Sequence, residues 1–301
     1  MMPNMMPKSI RAWMQAWMRD LTGPPSGMAF DFTQPAGEPA LAPPGGVSWR
    51  VFGNPVSLFI GGVTAVLLEL AEPSVRAGVW DHSSFRRDPA MRLRRTGFAA
   101  MMTVYGPRSA AEQLIARVVR LHGQVAGTTT DGTPYHANDP RLLDWVQATA
   151  TFGFTQAYHR YVRTLPAAGM DAAFAEAQPS ARLYGATGAP ASWVAWEELL
   201  SATAPGLAGS ETLADFLHIM ATAAILPAPL RWLQRLLVRA AVQITPEPVR
   251  SLPQLRGQGL RPGEAAVVRI LARAAALLPL GDLPPAQAAR RVAGSRDASR
   301  S

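Results

Sequence analysis

The sequence predicts an all-α fold in a single domain, and three observations carry that expectation. Apolar residues recur at helical spacing nearly everywhere, and no run shows clear period-two alternation. Short polar residues followed by proline stand where helices should begin, as at Asp88–Pro89 and Asp139–Pro140. Hydrophobic residues make up 48% of the 301 and charged residues 17%, enough apolar material for a sizeable core and too little charge for a disordered chain. There is no internal repeat, and no linker separates two compositions. The expected organisation is an N-terminal helix and irregular lead-in over residues 1–44, an all-helical domain over 45–292 and a disordered tail over 293–301.

The elements follow in order. Trp13, Met14, Trp17 and Met18 lie at helical spacing, which reads as a short helix docked on the body, with an interfacial helix as the alternative. Residues 1–21 lack the continuous apolar stretch and small-residue cleavage site of a signal peptide. Residues 22–48 are rich in Gly and Pro and read as irregular. Residues 58–70 are apolar on all sides, which predicts a buried helix closed by Pro73 and too short to span a bilayer.

Asp88–Pro89 opens a helix to Val104, which Gly106–Pro107 ends. Ser109 and Glu112 have the spacing of a capping box. On the helix they open, Ile115, Val118, His122 and Val125 share one face. Residues 128–138 read as a turn-rich loop centred on Asp131–Gly132, and Asp139–Pro140 opens a helix to about Val162. Further helices are expected at 171–184, 192–202, 211–226, 230–243, 263–278 and, shorter, 284–292.

Composition excludes several chemistries. With no Cys there is no disulfide, thiolate nucleophile, iron–sulfur cluster, thiolate-ligated haem or C-x-x-C-H haem attachment. Lys8 is the only lysine, which removes a P-loop lysine and an interior Schiff base. The net charge is +8, but the arginines are scattered among apolar helices without a basic arm, so no nucleic acid partner is expected. The expectation is a cytoplasmic, soluble chain, with peripheral membrane contact and oligomeric state left open. Neither G-x-S-x-G nor G-x-G-x-x-G occurs, which weakens hydrolase and dinucleotide readings.

Two constellations remain. His122 on a buried face is either a core histidine bonded to a carbonyl or an axial ligand to a haem iron. Arg92, Thr96, Ala99 and Thr103 share one face of the preceding helix, beside the small residues Gly97 and Ala100. Such a face leaves room for something flat, with Arg86, Arg87, Arg94 and Arg95 nearby to pair with propionates; the alternative is a partly solvated helix with surface arginines. His82 either borders a pocket or makes a loop hydrogen bond. His136 with Asp139 is too sparse for a metal site, and His159 reads as helix packing. Asp215 with His218 is half of a di-iron motif without its other half, which favours an ion pair or surface pair.

Several stretches resemble the MpaB-like oxygenase family, which includes the latex clearing proteins (rubber oxygenases). They are Leu67-Leu68-Glu69-Leu70-Ala71-Glu72-Pro73, Gly78-Val79-Trp80-Asp81-His82-Ser83-Ser84-Phe85 and Arg92-Leu93-Arg94-Arg95-Thr96. His122-Gly123-Gln124-Val125-Ala126-Gly127 and Gly132-Thr133-Pro134-Tyr135-His136-Ala137-Asn138-Asp139-Pro140 continue the likeness, which covers roughly residues 45–250. The resemblance implies an all-α fold binding b-type haem, with His122 as the proximal ligand and Arg92 and Thr96 on the distal side. Arg95 stands where a latex clearing protein carries a lysine that can cap the iron, and an arginine is a poor iron ligand because it stays protonated. Glu69 and Glu72 also depart from the Gln and His expected at those places.

The expected function is therefore a haem b-dependent oxygenase using O2 on a small apolar, unsaturated, isoprenoid-like substrate, with oxidative C=C cleavage as the reaction class. Arg92, Thr96 and Arg95 are its candidate catalytic residues, and His122, Arg92, Thr96 and His82 its candidate cofactor contacts. A non-catalytic haem sensor or carrier, and a haem-free helical scaffold at a membrane surface, remain the alternatives.

Overall fold

The computed structural model describes residue 23 and residues 29–82, 84–226, 228–277 and 281–298. The N-terminal stretch holding Trp13, Met14, Trp17 and Met18 lies outside the described residues. The first five helices are α1 (Val47–Phe52), α2 (Pro55–Ala71), α3 (Pro73–Asp81), α4 (Pro89–Tyr105) and α5 (Arg108–His122). A small antiparallel hairpin follows, β1 (Ala126–Thr128) and β2 (Pro134–His136). Then come α6 (Pro140–Tyr161), α7 (Ala167–Tyr184), α8 (Trp193–Thr203), α9 (Glu211–Thr222) and α10 (Arg231–Ile244). The last three are α11 (Glu247–Arg250), α12 (Glu264–Ala276) and α13 (Pro284–Ala298).

The architecture is all-α, and α2 is its axis. Asn54 caps it by accepting from the Val56 and Ser57 amides. Its own amide nitrogen reaches across to donate to the Ala272 carbonyl of α12, 2.8 Å away. Along α2 the side chains of Ile60, Leu67, Leu68 and Leu70 are completely buried. Each such burial is worth about 1.5–3 kcal/mol relative to exposure. The antiparallel partner of this axis is α6, and the two backbones touch where neither carries a side chain. A Cβ at Gly61 would lie 2.6 Å from the Phe154 Cα, and one at Gly153 would lie 2.5 Å from the Gly61 carbonyl oxygen. The Trp145 indole donates to the Leu68 carbonyl at 3.2 Å, and the Tyr161 hydroxyl to the Ala240 carbonyl at 3.1 Å. These bonds fasten α6 to α2 on one side and to α10 on the other.

The buried helix ends at Ala71, just before Pro73 as expected; Glu72 then caps a new helix, and the chain bends by 112° between α2 and α3. Elsewhere the structure departs from the sequence expectations. Ser109 and Glu112 form no capping box. Instead Glu38, 71 residues away from Ser109, takes the Ser109 amide at 2.6 Å and its hydroxyl at 3.1 Å, while Glu112 turns to Arg108. The turn-rich stretch after α5 contains the hairpin, and Gly132 supplies the positive φ of 87° at its turn. The helix expected from residue 211 ends at Thr222, because fully buried Gln234 holds the chain beyond it: it donates to the Met220 and Ala223 carbonyls and accepts from the Leu226 amide. The last helix runs to Ala298 rather than Val292.

Residues 29–46 are irregular, yet they are packed. Phe32 and Ala42 join Phe98, Met101, Met102 and Tyr105 of α4 and Ala288 of α13 in a second apolar cluster. Among the described residues no single helix is long and apolar enough to cross a membrane; the bent pair α2 and α3 reaches that length and composition only together.

Candidate functional site

The inner faces of α2, α3, α4, α6 and α9 leave a cavity of about 190 Å³. Its walls are apolar, with Phe59, Val63 and Val66 from α2, Trp80 from α3, Phe154 from α6 and Met220 from α9. The charged or hydroxyl-bearing side chains on its lining are Glu69, Arg92 and Thr96. Leu58 and Leu70 of α2 complete this apolar wall.

Each polar group is put there by its helix. Asp88 accepts from the Met91 amide and starts α4, with Pro89 in its first turn. One turn later Arg92 and Thr96 stack on the cavity side, with Gly97 and Ala100 keeping the wall thin. The Arg92 guanidinium donates to the Thr96 hydroxyl oxygen, and that hydroxyl donates to the Arg92 carbonyl at 2.9 Å. Thr96 thus spends its one proton inside its own helix. Across from them Glu69 is the single acid in the apolar run of α2. Burial pushes its carboxyl up to about 7, against the opposing pull of the Arg92 charge. Burial lowers the pKa of Arg92, Glu69 raises it and Arg95 lowers it again, and Arg92 remains a cation.

His122 is placed differently from the expectation. It is not mid-stripe but the last residue of α5, a helix whose buried residues are Ala111 and Ile115. Val118 is half-buried, and Val125 lies past the helix end. Even so, the His122 Nδ1 is buried without a hydrogen-bond partner among the described residues. Burial depresses its pKa, and the Arg92 charge depresses it further. The imidazole is therefore neutral at pH 7, the form that ligates a metal. A buried, unpaired nitrogen costs about 1–3 kcal/mol, which calls for a partner.

The other predicted residues lie elsewhere. Arg95 is exposed and does not line the cavity. His82 is exposed too, and its Nε2 lies 3.3 Å from the Tyr135 hydroxyl of the hairpin, a loop hydrogen bond. His136 Nδ1 accepts from the Asn138 amide and His159 Nδ1 from the Leu165 amide, both at 3.1 Å. Asp215 forms an exposed ion pair with Arg86 at 3.0 Å, and Arg86 also sits 5.2 Å above the Trp80 ring. No group of three or more His, Asp or Glu able to hold a metal ion occurs among the described residues.

Sequence reasoning left Glu69 out of the site, although a lone acid inside an apolar run was the signal for it. Trp80 was also left out. It borders the cavity with its indole nitrogen buried and unpartnered among the described residues, and no sequence pattern shows that.

A model of the family described as "ER-bound oxygenase mpaB/B'/Rubber oxygenase, catalytic domain" matches residues 49–277. The chain belongs to this MpaB/rubber oxygenase family. The match contains every residue lining the cavity, so the cavity lies within an oxygenase catalytic domain. The uncharacterized protein Rv2237 of Mycobacterium tuberculosis is 29% identical over 172 residues, which is 55% of this chain and 68% of that protein. The uncharacterized protein Mb2261 of Mycobacterium bovis matches with the same identity and coverage. No solved structure matches the chain.

The donor chemistry fits a haem: a neutral imidazole with a buried unpaired nitrogen, within electrostatic reach of an arginine that lines an apolar cavity. The volume does not suffice in this packing, because about 190 Å³ is below the roughly 300–1,000 Å³ of ordinary ligand sites and His122 is not on the lining.

Proposed function

We propose that this member of the MpaB/rubber oxygenase family is a haem b-dependent oxygenase. Its substrate is an apolar, unsaturated, isoprenoid-like molecule, cleaved oxidatively at a C=C bond. The observation that carries the reading is the unpaired, neutral imidazole of His122 within electrostatic reach of Arg92, which together with Glu69 lines an apolar cavity. Haem, when bound, supplies the one-electron and O2 chemistry that side chains lack.

His122 would hold the haem. Arg92, bonded to Thr96, would offer a cationic donor to an anionic oxygen in the cavity. Glu69 keeps a proton on its carboxyl near neutral pH and can donate or accept one there. Phe59, Val63, Trp80, Phe154 and Met220 bind the apolar chain and keep water out.

The absorption spectrum of the oxidised and reduced protein tests this. A Soret band that largely disappears in His122→Ala is expected. A band unchanged in that variant removes His122 as the ligand, and a colourless protein that refuses added hemin removes the haem. Oxygen consumption with a polyprenyl alkene then separates an enzyme from a haem carrier.

A further inference from the structure

Four of the seven large exposed apolar side chains among the described residues belong to α10 and to α12 with its C-terminal end, and Trp232 and Val267 line one cleft between these helices. Trp232 of α10 is 53% exposed, and Val267, Ile270 and Leu277 on and just after α12 are 41%, 68% and 79% exposed. Ile270 and Leu277 are two turns apart on the same side of their helix. Ile270 and Leu277 leave most of their apolar surface in solvent, and Trp232 about half of its own; soluble surfaces seldom group such residues without a partner.

The charge of this face is one-sided. Helix α10 carries Arg231, Arg235 and Arg239 and no acid. The single acid of α12 is Glu264, and Arg239 neutralises it through two hydrogen bonds of 3.0 and 2.5 Å. Arg231, Arg235 and Arg261 are exposed around it. Between the two helices lies an open cleft of about 410 Å³ lined by Trp232, Arg235, Arg239, Arg261, Glu264 and Val267. It is wide enough for a phosphate-bearing headgroup, with cations on its wall and apolar side chains at its rim.

We propose that the outward face of α10 and α12 docks on a bilayer containing anionic phospholipid. The headgroup phosphate meets Arg235 and Arg261 in the cleft, while Trp232, Ile270 and Leu277 enter the interfacial layer. Charge selects this occupant over the others. A two-fold dimer through the same face would set Arg235 and Arg261 against their own copies with the one acid already neutralised. A nucleic acid would leave Ile270 and Leu277 unused. Apolar insertion combined with basic attraction is the pattern of interfacial binding. The inference does not depend on the haem.

Flotation of the full chain with vesicles of phosphatidylcholine alone, and of phosphatidylcholine with phosphatidylglycerol, is the test. Binding to the anionic vesicles that weakens with salt is expected. The Ile270→Glu/Leu277→Glu variant should bind roughly tenfold or more weakly, and Arg235→Gln/Arg261→Gln should lose most of the preference for anionic lipid, each with an unchanged circular dichroism spectrum. Three results overturn the inference: no binding to either vesicle; binding that both variants retain but Trp13→Glu/Trp17→Glu loses; or a dimer in sedimentation that the apolar variant dissociates without any vesicle binding.

Discussion

Arg92 is half-buried and Arg291 almost fully buried, and burial lowers the pKa of each. Their partners differ. Arg291, 1% exposed, spends its guanidinium on three main-chain carbonyls: Glu38 at 2.8 Å, Phe32 at 2.6 Å and Tyr105 at 2.7 Å. It clamps α13 to the irregular segment before α1 and to the end of α4. Arg92 has a neighbouring hydroxyl, a buried carboxyl opposite, and a cavity in front of it. An arginine bonded to carbonyls through all three of its guanidinium nitrogens is a fastener. One facing a cavity with donors to spare is available to a ligand. The family match respects this division, since residues 49–277 include Arg92 and stop short of Arg291.

Three substitutions test the contrast. Arg291→Met strands two buried carbonyls and one part-buried carbonyl and should cost about 4 kcal/mol in urea unfolding, with residues 29–46 becoming open to protease. A loss below about 1 kcal/mol would mean that the clamp is dispensable.

Glu69→Gln comes second. The raised carboxyl keeps its proton up to about pH 7 in the folded chain, whereas the unfolded chain releases it near 4.5. The folded state therefore binds more protons between those values, and stability falls as pH rises through that window. The full shift corresponds to about 3 kcal/mol, but part of the Glu69 surface faces the cavity rather than packed atoms, so about 2 kcal/mol is expected. Gln removes that fall, so the variant should gain on the parent between pH 4.5 and pH 7.5 in urea midpoints. A parallel pair of curves would show that Glu69 is ionised throughout.

Arg92→Met is the smallest in stability, within about 1 kcal/mol, because its donors hold no second segment of chain. Its effect should fall on the cavity: cofactor content kept, oxygen consumption reduced or autoxidation faster. Loss of cofactor together with stability would make Arg92 a fastener like Arg291 and erase the contrast.

Much of this was legible in the sequence for a local reason. Asp88, Asp139 and Ser192 each cap a helix that follows immediately, so a few adjacent residues carry the signal. The apolar run around α2 announces a buried helix by its periodicity alone. The errors came where a partner is distant. Ser109 has the spacing of a capping box, yet Glu38 reaches it first. In the same way Glu176 takes the Val47 and Ser48 amides at the start of α1, 129 and 128 residues away. The hairpin was invisible because its strands are three residues each, too short to show alternation.

Local composition determined the all-α class, most helix starts, and the residue types Arg92, Thr96 and His122 that carry the family likeness. Tertiary structure alone decided which charged groups share a space. It set Glu69 against Arg92, ended α5 at an imidazole with an unpaired nitrogen, and left Arg95 and His82 outside. The physical reason is that helix propensity and capping act within a few residues, whereas desolvation and charge pairing depend on what the folded chain places alongside.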